Sequence, residues 1–311
     1  MNNNNKKIII KEEFFQKKYV VLFLAIICTA LWGSAFPFIK IGYELFNISG
    51  DDLFSKLLFA GLRFTLAGIV VLIYYYFTTK NFPKLKKENF KGLFLLGFIQ
   101  TTLEYFFIYL GLFYTSGVKS NILNSSSVFI MVILAHFLFE DDKLDKSKIY
   151  GCFIGFLGVL LVNLDGLKSS FSLNGDIFIV LGASCFAIGS LIGKFISNKE
   201  DSIIITGYQL FLGGFILFIA GLLGGGKLIF TSLSSYMLLL YLILLSSLAF
   251  TIWTILLKYN NVGKISIFNF LTPLFGTIFS AIFLHENILE VKNIIALILV
   301  CIGIYIVNKW K

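Results

Sequence analysis

The chain has 311 residues, of which 58% are hydrophobic, 17% aromatic and only 14% charged, with a mean hydropathy of +0.88. That is too little charge to cover a water-soluble domain of this size, so the solvent for most of the chain is lipid. The formal net charge of +9 does not signal nucleic acid, because no basic run interleaved with aromatics is long enough to follow a nucleic-acid backbone; the lysines stand in short connections between apolar runs, where they set membrane orientation.

The chain opens on Met1-Asn2-Asn3-Asn4-Asn5-Lys6-Lys7 and stays polar over 1–18, a cytoplasmic tail. No small-residue cleavage site follows the first apolar run, so the first span is expected in the mature protein. A helix needs roughly 20 apolar residues to cross a bilayer. On that measure the sequence predicts ten spans, over 19–41, 53–77, 92–113, 115–139 and 147–164, then 175–197, 202–223, 235–257, 262–285 and 291–308. With the N-terminus inside, 18 lysines fall on the cytoplasmic face and five on the other: Lys56, Lys119, Lys168, Lys227 and Lys292. Both termini are therefore expected in the cytoplasm. Cys28, Cys152, Cys185 and Cys301 all lie in apolar segments without metal-like spacing and read as packing residues, so no metal is expected.

The second half repeats the first. Tyr114 returns as Tyr259, Lys119 as Lys264, Asn124 as Asn269, Asp141 as Glu286, Gly158 as Gly303 and Val162-Asn163 as Val307-Asn308, at a constant spacing of 145 residues. Two five-helix copies, 19–164 and 175–308, follow. Because five is odd, the second copy crosses the membrane in the opposite sense. Such inverted repeats hold a site between them that can face either side in turn, the architecture of a secondary transporter. The predicted fold is thus an all-α integral membrane protein of ten transmembrane helices in two inverted five-helix repeats.

The sharpest local motif is Ala30-Leu31-Trp32-Gly33-Ser34-Ala35-Phe36-Pro37-Phe38-Ile39-Lys40 in the first span. Its counterpart in the sixth is Phe186-Ala187-Ile188-Gly189-Ser190-Leu191-Ile192-Gly193-Lys194. With these residues the chain resembles the drug/metabolite transporter superfamily, and within it the EamA family of ten-helix carriers, from about Tyr19 to Asn308. Arg63, Tyr105, Thr115-Ser116, Pro273 and Leu284-His285-Glu286 support the resemblance. Val128 departs from it, standing where the second copy has Pro273, and Glu104 belongs to no pattern that carries over. The resemblance implies a carrier that exports amino acids or related metabolites across the plasma membrane without ATP hydrolysis, an enzyme activity or a cofactor. Its expected partners are a small-molecule substrate, the lipid bilayer and, as one option, a coupled proton; a monomer or weak homodimer is expected.

The candidate cavity residues are Trp32, Ser34, Phe36, Arg63, Glu104, Tyr105, Asn124 and Asn269. Trp32 and Phe36 lie four residues apart and share a helix face; the resemblance makes that face cavity lining. Arg63, the single arginine, and Glu104 both reach a depth of about 14–15 Å, near the midplane, where ionisable groups are costly and face a cavity or a partner. The repeat puts Gln209 and Ala249 at the matching positions, so one copy carries both charges. Two readings stay open: a structural ion pair, or a site in which Arg63 takes a zwitterion's carboxylate and Glu104 its ammonium or the coupling proton. Asn124 and Asn269 are repeat-related amides that read substrate polar groups or bond between helices.

Charges at span ends suggest two alternating ionic gates, Lys40, Lys119 and Glu286 outside and Lys194, Lys264 and Asp141 inside, the alternative being interfacial anchoring. Gly151, Gly155 and Gly158 form a small-residue packing face on the fifth span. Two other functions are weighed: a nucleotide-sugar or phosphorylated-sugar exchanger, which needs more deep cations than Arg63, and a membrane prenyl or lipid transferase. The latter would use Asp141-Asp142-Lys143-Leu144-Asp145 to hold magnesium diphosphate, but the repeat reduces that cluster to Glu286-Asn287-Ile288-Leu289-Glu290.

Overall fold

The computed structural model describes residues 12–115, 117–163, 173–284 and 291–309. Among them there is no strand. In lipid every backbone N–H and C=O must be satisfied within the chain, and a helix does this locally for a run of any apolar sequence. The first half contributes α1 (Lys18–Leu45), α2 (Leu53–Thr79), α3 (Lys87–Gly111), α4 in two pieces (Gly117–Asn124 and Ser126–Leu138) and α5 (Lys146–Val162). The second contributes α6 (Leu173–Ser197), α7 (Ser202–Leu223), α8 (Leu233–Tyr259), α9 (Val262–Leu284) and α10 (Val291–Val307).

Eight of these helices are long and apolar enough to cross a membrane. The fifth and tenth expected spans are 17-residue helices, α5 and α10. Large apolar side chains stand exposed around the bundle, among them Phe23, Tyr74, Phe77, Phe137, Phe195, Leu248 and Tyr305. On a soluble protein such a belt would be an aggregation surface; in a bilayer it meets acyl chains.

Polar residues at the connections end the helices. The side chain of Asp52 accepts the Ser55 N–H at the start of α2, Asp145 that of Lys148 at the start of α5, and Asp201 that of Ile203 at the start of α7.

Packing follows a reciprocal scheme. α2 lies along α7, and α5 lies along α10; α1 packs on α8 and α9, and α6 packs on α3 and α4. Exchanging each helix with the one five places away leaves this set of contacts unchanged. The α2–α7 contact is drawn tight by glycines: a Cβ on Gly61 would fall 2.2 Å from the Phe218 nitrogen, and one on Gly214 2.5 Å from the Thr65 nitrogen. Gly151 and Gly158 serve α5 in the same way against α10, and a Cβ on Gly303, facing back, would fall 2.6 Å from the Gly151 oxygen.

Candidate functional site

A cavity of about 540 Å³ lies between α1, α2, α3, α4, α6, α8 and α9. Trp32, Phe36 and Lys40 reach it from one face of α1, Arg63 from α2, Glu104 and Tyr105 from α3, Asn124 from α4 and Asn269 from α9. The tryptophan packs edge-on against Phe186 and Phe250, both at 5.5 Å between ring centroids, and tilted over Trp253 at 5.1 Å. These rings form an apolar wall. The opposite chemistry comes from α2 and α3.

Arg63 is 2% exposed, and its guanidinium carbon lies 4.1 Å from the Phe64 ring centroid and 5.6 Å from that of Tyr105. Its Nε and Nη1 have no hydrogen-bond partner, and neither has Oε2 of Glu104. Lys119 pairs with Asp176 and Lys148 with Asp142, whereas Arg63 and Glu104 do not pair with each other. The structural ion pair weighed from the sequence is therefore not formed. The Tyr109 hydroxyl, the Ser120 hydroxyl and Oδ1 of Asn124 also line the cavity, buried and unpartnered.

Both repeat-related asparagines sit where a helix departs from regular geometry. Asn124 ends the first piece of α4, and Asn269 stands in a 3₁₀ turn, Ile267–Phe270, of α9. The two amides differ in engagement: Oδ1 of Asn269 accepts from Thr272 Oγ1 at 3.0 Å, whereas Oδ1 of Asn124 is left for the cavity. Pro37 lies inside a continuous α1, and Pro273 follows the 3₁₀ turn of α9.

Ser34 lies outside the cavity. Its hydroxyl bonds Tyr241 of α8 at 2.6 Å and the Leu31 carbonyl at 2.8 Å, so it joins α1 to α8. Tyr43 and Tyr109, absent from the sequence-based selection, do line the cavity. Nothing distinguishes them in sequence from the other tyrosines of this aromatic-rich chain.

The predicted gating residues divide between two ends. Lys40 lines the cavity, as do Leu112, Ser280 and Leu284 from neighbouring helix ends. Lys119 pairs with Asp176 of α6 at 2.6 Å. Glu286, like His285, is outside the described residues. At the other end the Lys194 ammonium donates to the carbonyls of Leu257 and Asn260, 2.8 and 2.6 Å away, closing the C-terminus of α8. Asp141 contributes its main-chain oxygen, which accepts from Asn261 Nδ2 at 2.6 Å, and the carbonyl of Lys264 accepts from Asn308. The ion pair of this end runs through Asp142, whose Oδ1 is 2.6 Å from Lys148 Nζ and whose Oδ2 accepts the Gly263 N–H at 3.0 Å. The turn of helix at 12–16 seals the same end: Phe15 stacks on Tyr259 at 5.3 Å, and Gln16 donates to the Tyr259 carbonyl. None of Asp142, Lys148 and Lys194 lines the cavity. With Asp142 engaged by Lys148 and Gly263, and Asp145 capping α5, the acidic cluster weighed as a diphosphate site serves local structure.

A bundle of helices long and apolar enough to cross a membrane encloses a ligand-sized cavity, mostly apolar with a few buried polar groups, an arrangement that suits a multi-pass membrane transporter. The sequence model of the EamA-like transporter family matches residues 20–164 and again 173–309. The chain belongs to that family, within the drug/metabolite transporters. It is similar to an uncharacterized transporter, YetK, of Bacillus subtilis, with 27% identity over 79% of this chain and 76% of the other. It is also similar to an uncharacterized transporter of Archaeoglobus fulgidus, with 28% identity over 83% and 86%, and to a chloroplastic WAT1-related protein of Arabidopsis thaliana, with 25% identity over 89% and 66%. A solved crystal structure superposes with a TM-score of 0.77 over 93% of this chain and 96% of its own at 14% identity, a likeness of fold.

Proposed function

We propose that this transporter exports small zwitterionic metabolites, amino acids or their close relatives, across the plasma membrane by alternating access. The observation that carries the reading is the separate, unpaired burial of Arg63 and Glu104 in one cavity. A buried charge without a partner is expensive, and a zwitterion supplies the counter-charges that let both groups be ionised in the cavity. Its carboxylate meets the guanidinium fork, which suits two parallel hydrogen bonds, and its ammonium meets the carboxylate of Glu104. A ligand side chain then lies against Trp32, Phe186 and Phe250. The volume falls within the roughly 300–1,000 Å³ usual for small-molecule sites.

Glu104 also supplies coupling. With the cavity empty of ammonium, the carboxyl is neutralised by a proton; when substrate enters, the proton leaves. Substrate and proton then compete for one group and move in opposite directions.

The ten helices act as two inverted five-helix repeats, 19–164 and 175–308, behind the polar tail 1–18. The reciprocal helix contacts support this, since the exchange of copies preserves them. Alternation is supported by the contrast between the ends, one sealed by the Asp142 and Lys194 contacts, the other bordering the cavity. Lysine distribution supports an orientation with the sealed end and both termini in the cytoplasm. The reading is of a monomer or weak homodimer.

Substrate exchange in proteoliposomes holding the purified chain tests the proposal. The panel holds labelled amino acids, the corresponding amines without carboxylate, the acids without amine, and a sugar phosphate. Exchange confined to compounds carrying both charges supports the reading. Preferential exchange of the sugar phosphate would replace it with a phosphorylated-sugar exchanger in which Arg63 and Lys40 hold the phosphate.

A further inference from the structure

The helix that carries Glu104 changes its winding immediately before it. α3 is α-helical over Phe90–Gly97, π-helical over Phe98–Leu103 and α-helical again from Glu104 to Gly111. A π turn accommodates an extra residue, which rotates everything beyond it by roughly 100° relative to a straight α-helix. The direction of Glu104 therefore depends on this turn.

Neighbouring helices grip the turn through side chains. Gln100 Nε2 donates to Ser190 Oγ of α6 at 3.1 Å, and its Oε1 accepts from Gln209 Nε2 of α7 at 3.0 Å. Thr102 Oγ1 donates to the Gly213 carbonyl of α7 at 2.9 Å. Ser190 Oγ also accepts from Trp253 Nε1 of α8 at 3.1 Å, so the same hydroxyl ties the turn to the ring beneath Trp32. Gln100, Thr102, Ser190, Gln209 and Trp253 are all buried. The grip is close: a Cβ on Gly189 would lie 2.3 Å from Cβ of Gln100.

The other copy offers a comparison. α8, the counterpart of α3, is α-helical throughout Leu233–Tyr259, and the repeat register puts Ala249 opposite Glu104. Carboxylate and π turn occur together in one copy, and the other has neither.

We infer that Gln100, Thr102, Ser190 and Gln209 are positioning residues of the transport site, holding the π turn so that Glu104 is aimed into the cavity. This rests on the reading of Glu104 as the functional carboxylate.

The test is labelling of the purified full chain with dicyclohexylcarbodiimide, which modifies reachable carboxyls in apolar surroundings, with peptide mass spectrometry to locate the adduct. Wild type is expected to label at Glu104. Gln100→Met/Thr102→Val is expected to lower that labelling at least about fivefold, the population shift that loss of one buried hydrogen bond produces. Should that variant not run as a monodisperse species in gel filtration, Ser190→Ala carries the test, leaving α3 intact; Ser190→Thr, which keeps the hydroxyl, should retain labelling. Undiminished labelling in a folded Gln100→Met/Thr102→Val or Ser190→Ala chain overturns the inference, as does a wild type unlabelled at Glu104. If labelling follows the variants while Glu104→Gln transports like wild type, the positioning stands and the functional role of Glu104 falls.

Discussion

Asp142 and Lys148 form a buried ion pair at 2.6 Å, and the second oxygen of the same carboxylate takes the N–H of Gly263 from the other half of the chain. Gly263 lies in the first turn of α9, so Asp142 acts as a cap for a helix that is not its own. A Cβ there would lie 3.0 Å from Lys148 Cε and 3.1 Å from Asp142 Oδ1. The contact joins the two halves at the sealed end.

Removing either charge should therefore strand the other. Asp142→Asn and Lys148→Met are each expected to cost about 3–5 kcal/mol, and the double variant less than their sum, because the uncompensated charge is gone. Thermal unfolding in detergent checks this. Strictly additive losses would contradict the pairing.

The α2–α7 contact predicts a second set of outcomes. Gly61→Ala and Gly214→Ala each drive a methyl into backbone atoms of the facing helix and are expected to destabilise by about 1–3 kcal/mol. Gly50→Ala, where a Cβ would meet nothing within 4 Å, should be neutral. Unfolding midpoints of the three variants decide it.

The two asparagines should behave differently despite their equivalent places in the repeat. Asn269 is tied to Thr272, so Asn269→Ala should lower stability by about 1 kcal/mol. Asn124, whose Oδ1 has no partner, should lose substrate affinity in Asn124→Ala with little change in unfolding midpoint. Equal stability losses would mean that Asn124 is a structural amide.

Much of this was legible in sequence. Apolar run length located the helices to within a few residues, and the depth of Arg63 and Glu104 within their runs singled them out before any contact was known. What escaped was set by rotation and by partners. Ser34 shares the Trp32 motif, but it stands two positions further along the helix, about 200° around the axis, and it meets Tyr241 instead of the cavity. The π turn leaves no compositional mark, because it is a change of hydrogen-bond register. The sealed end runs through Asp142 where the repeat had pointed to Asp141, since the repeat aligns residues without telling which of two adjacent carboxylates faces inward. Tyr109 enters the site only because the fold of α3 turns it there.

Arg63 and Glu104, buried separately in the cavity, carry the proposed transport site. Arg63→Lys keeps the charge but replaces the planar fork with a point charge on a flexible stem, so amino-acid exchange should fall at least about tenfold, with a smaller effect on unfolding.

Accumulation of a labelled amino acid in proteoliposomes under an imposed pH gradient, compared among wild type, Arg63→Gln and Glu104→Gln, decides whether Glu104 couples transport to protons. Proton coupling through Glu104 requires gradient-driven accumulation in wild type, its loss in Glu104→Gln, and neither exchange nor accumulation in Arg63→Gln. Accumulation in Glu104→Gln equal to that of wild type would contradict it, leaving the buried carboxyl without a part in coupling.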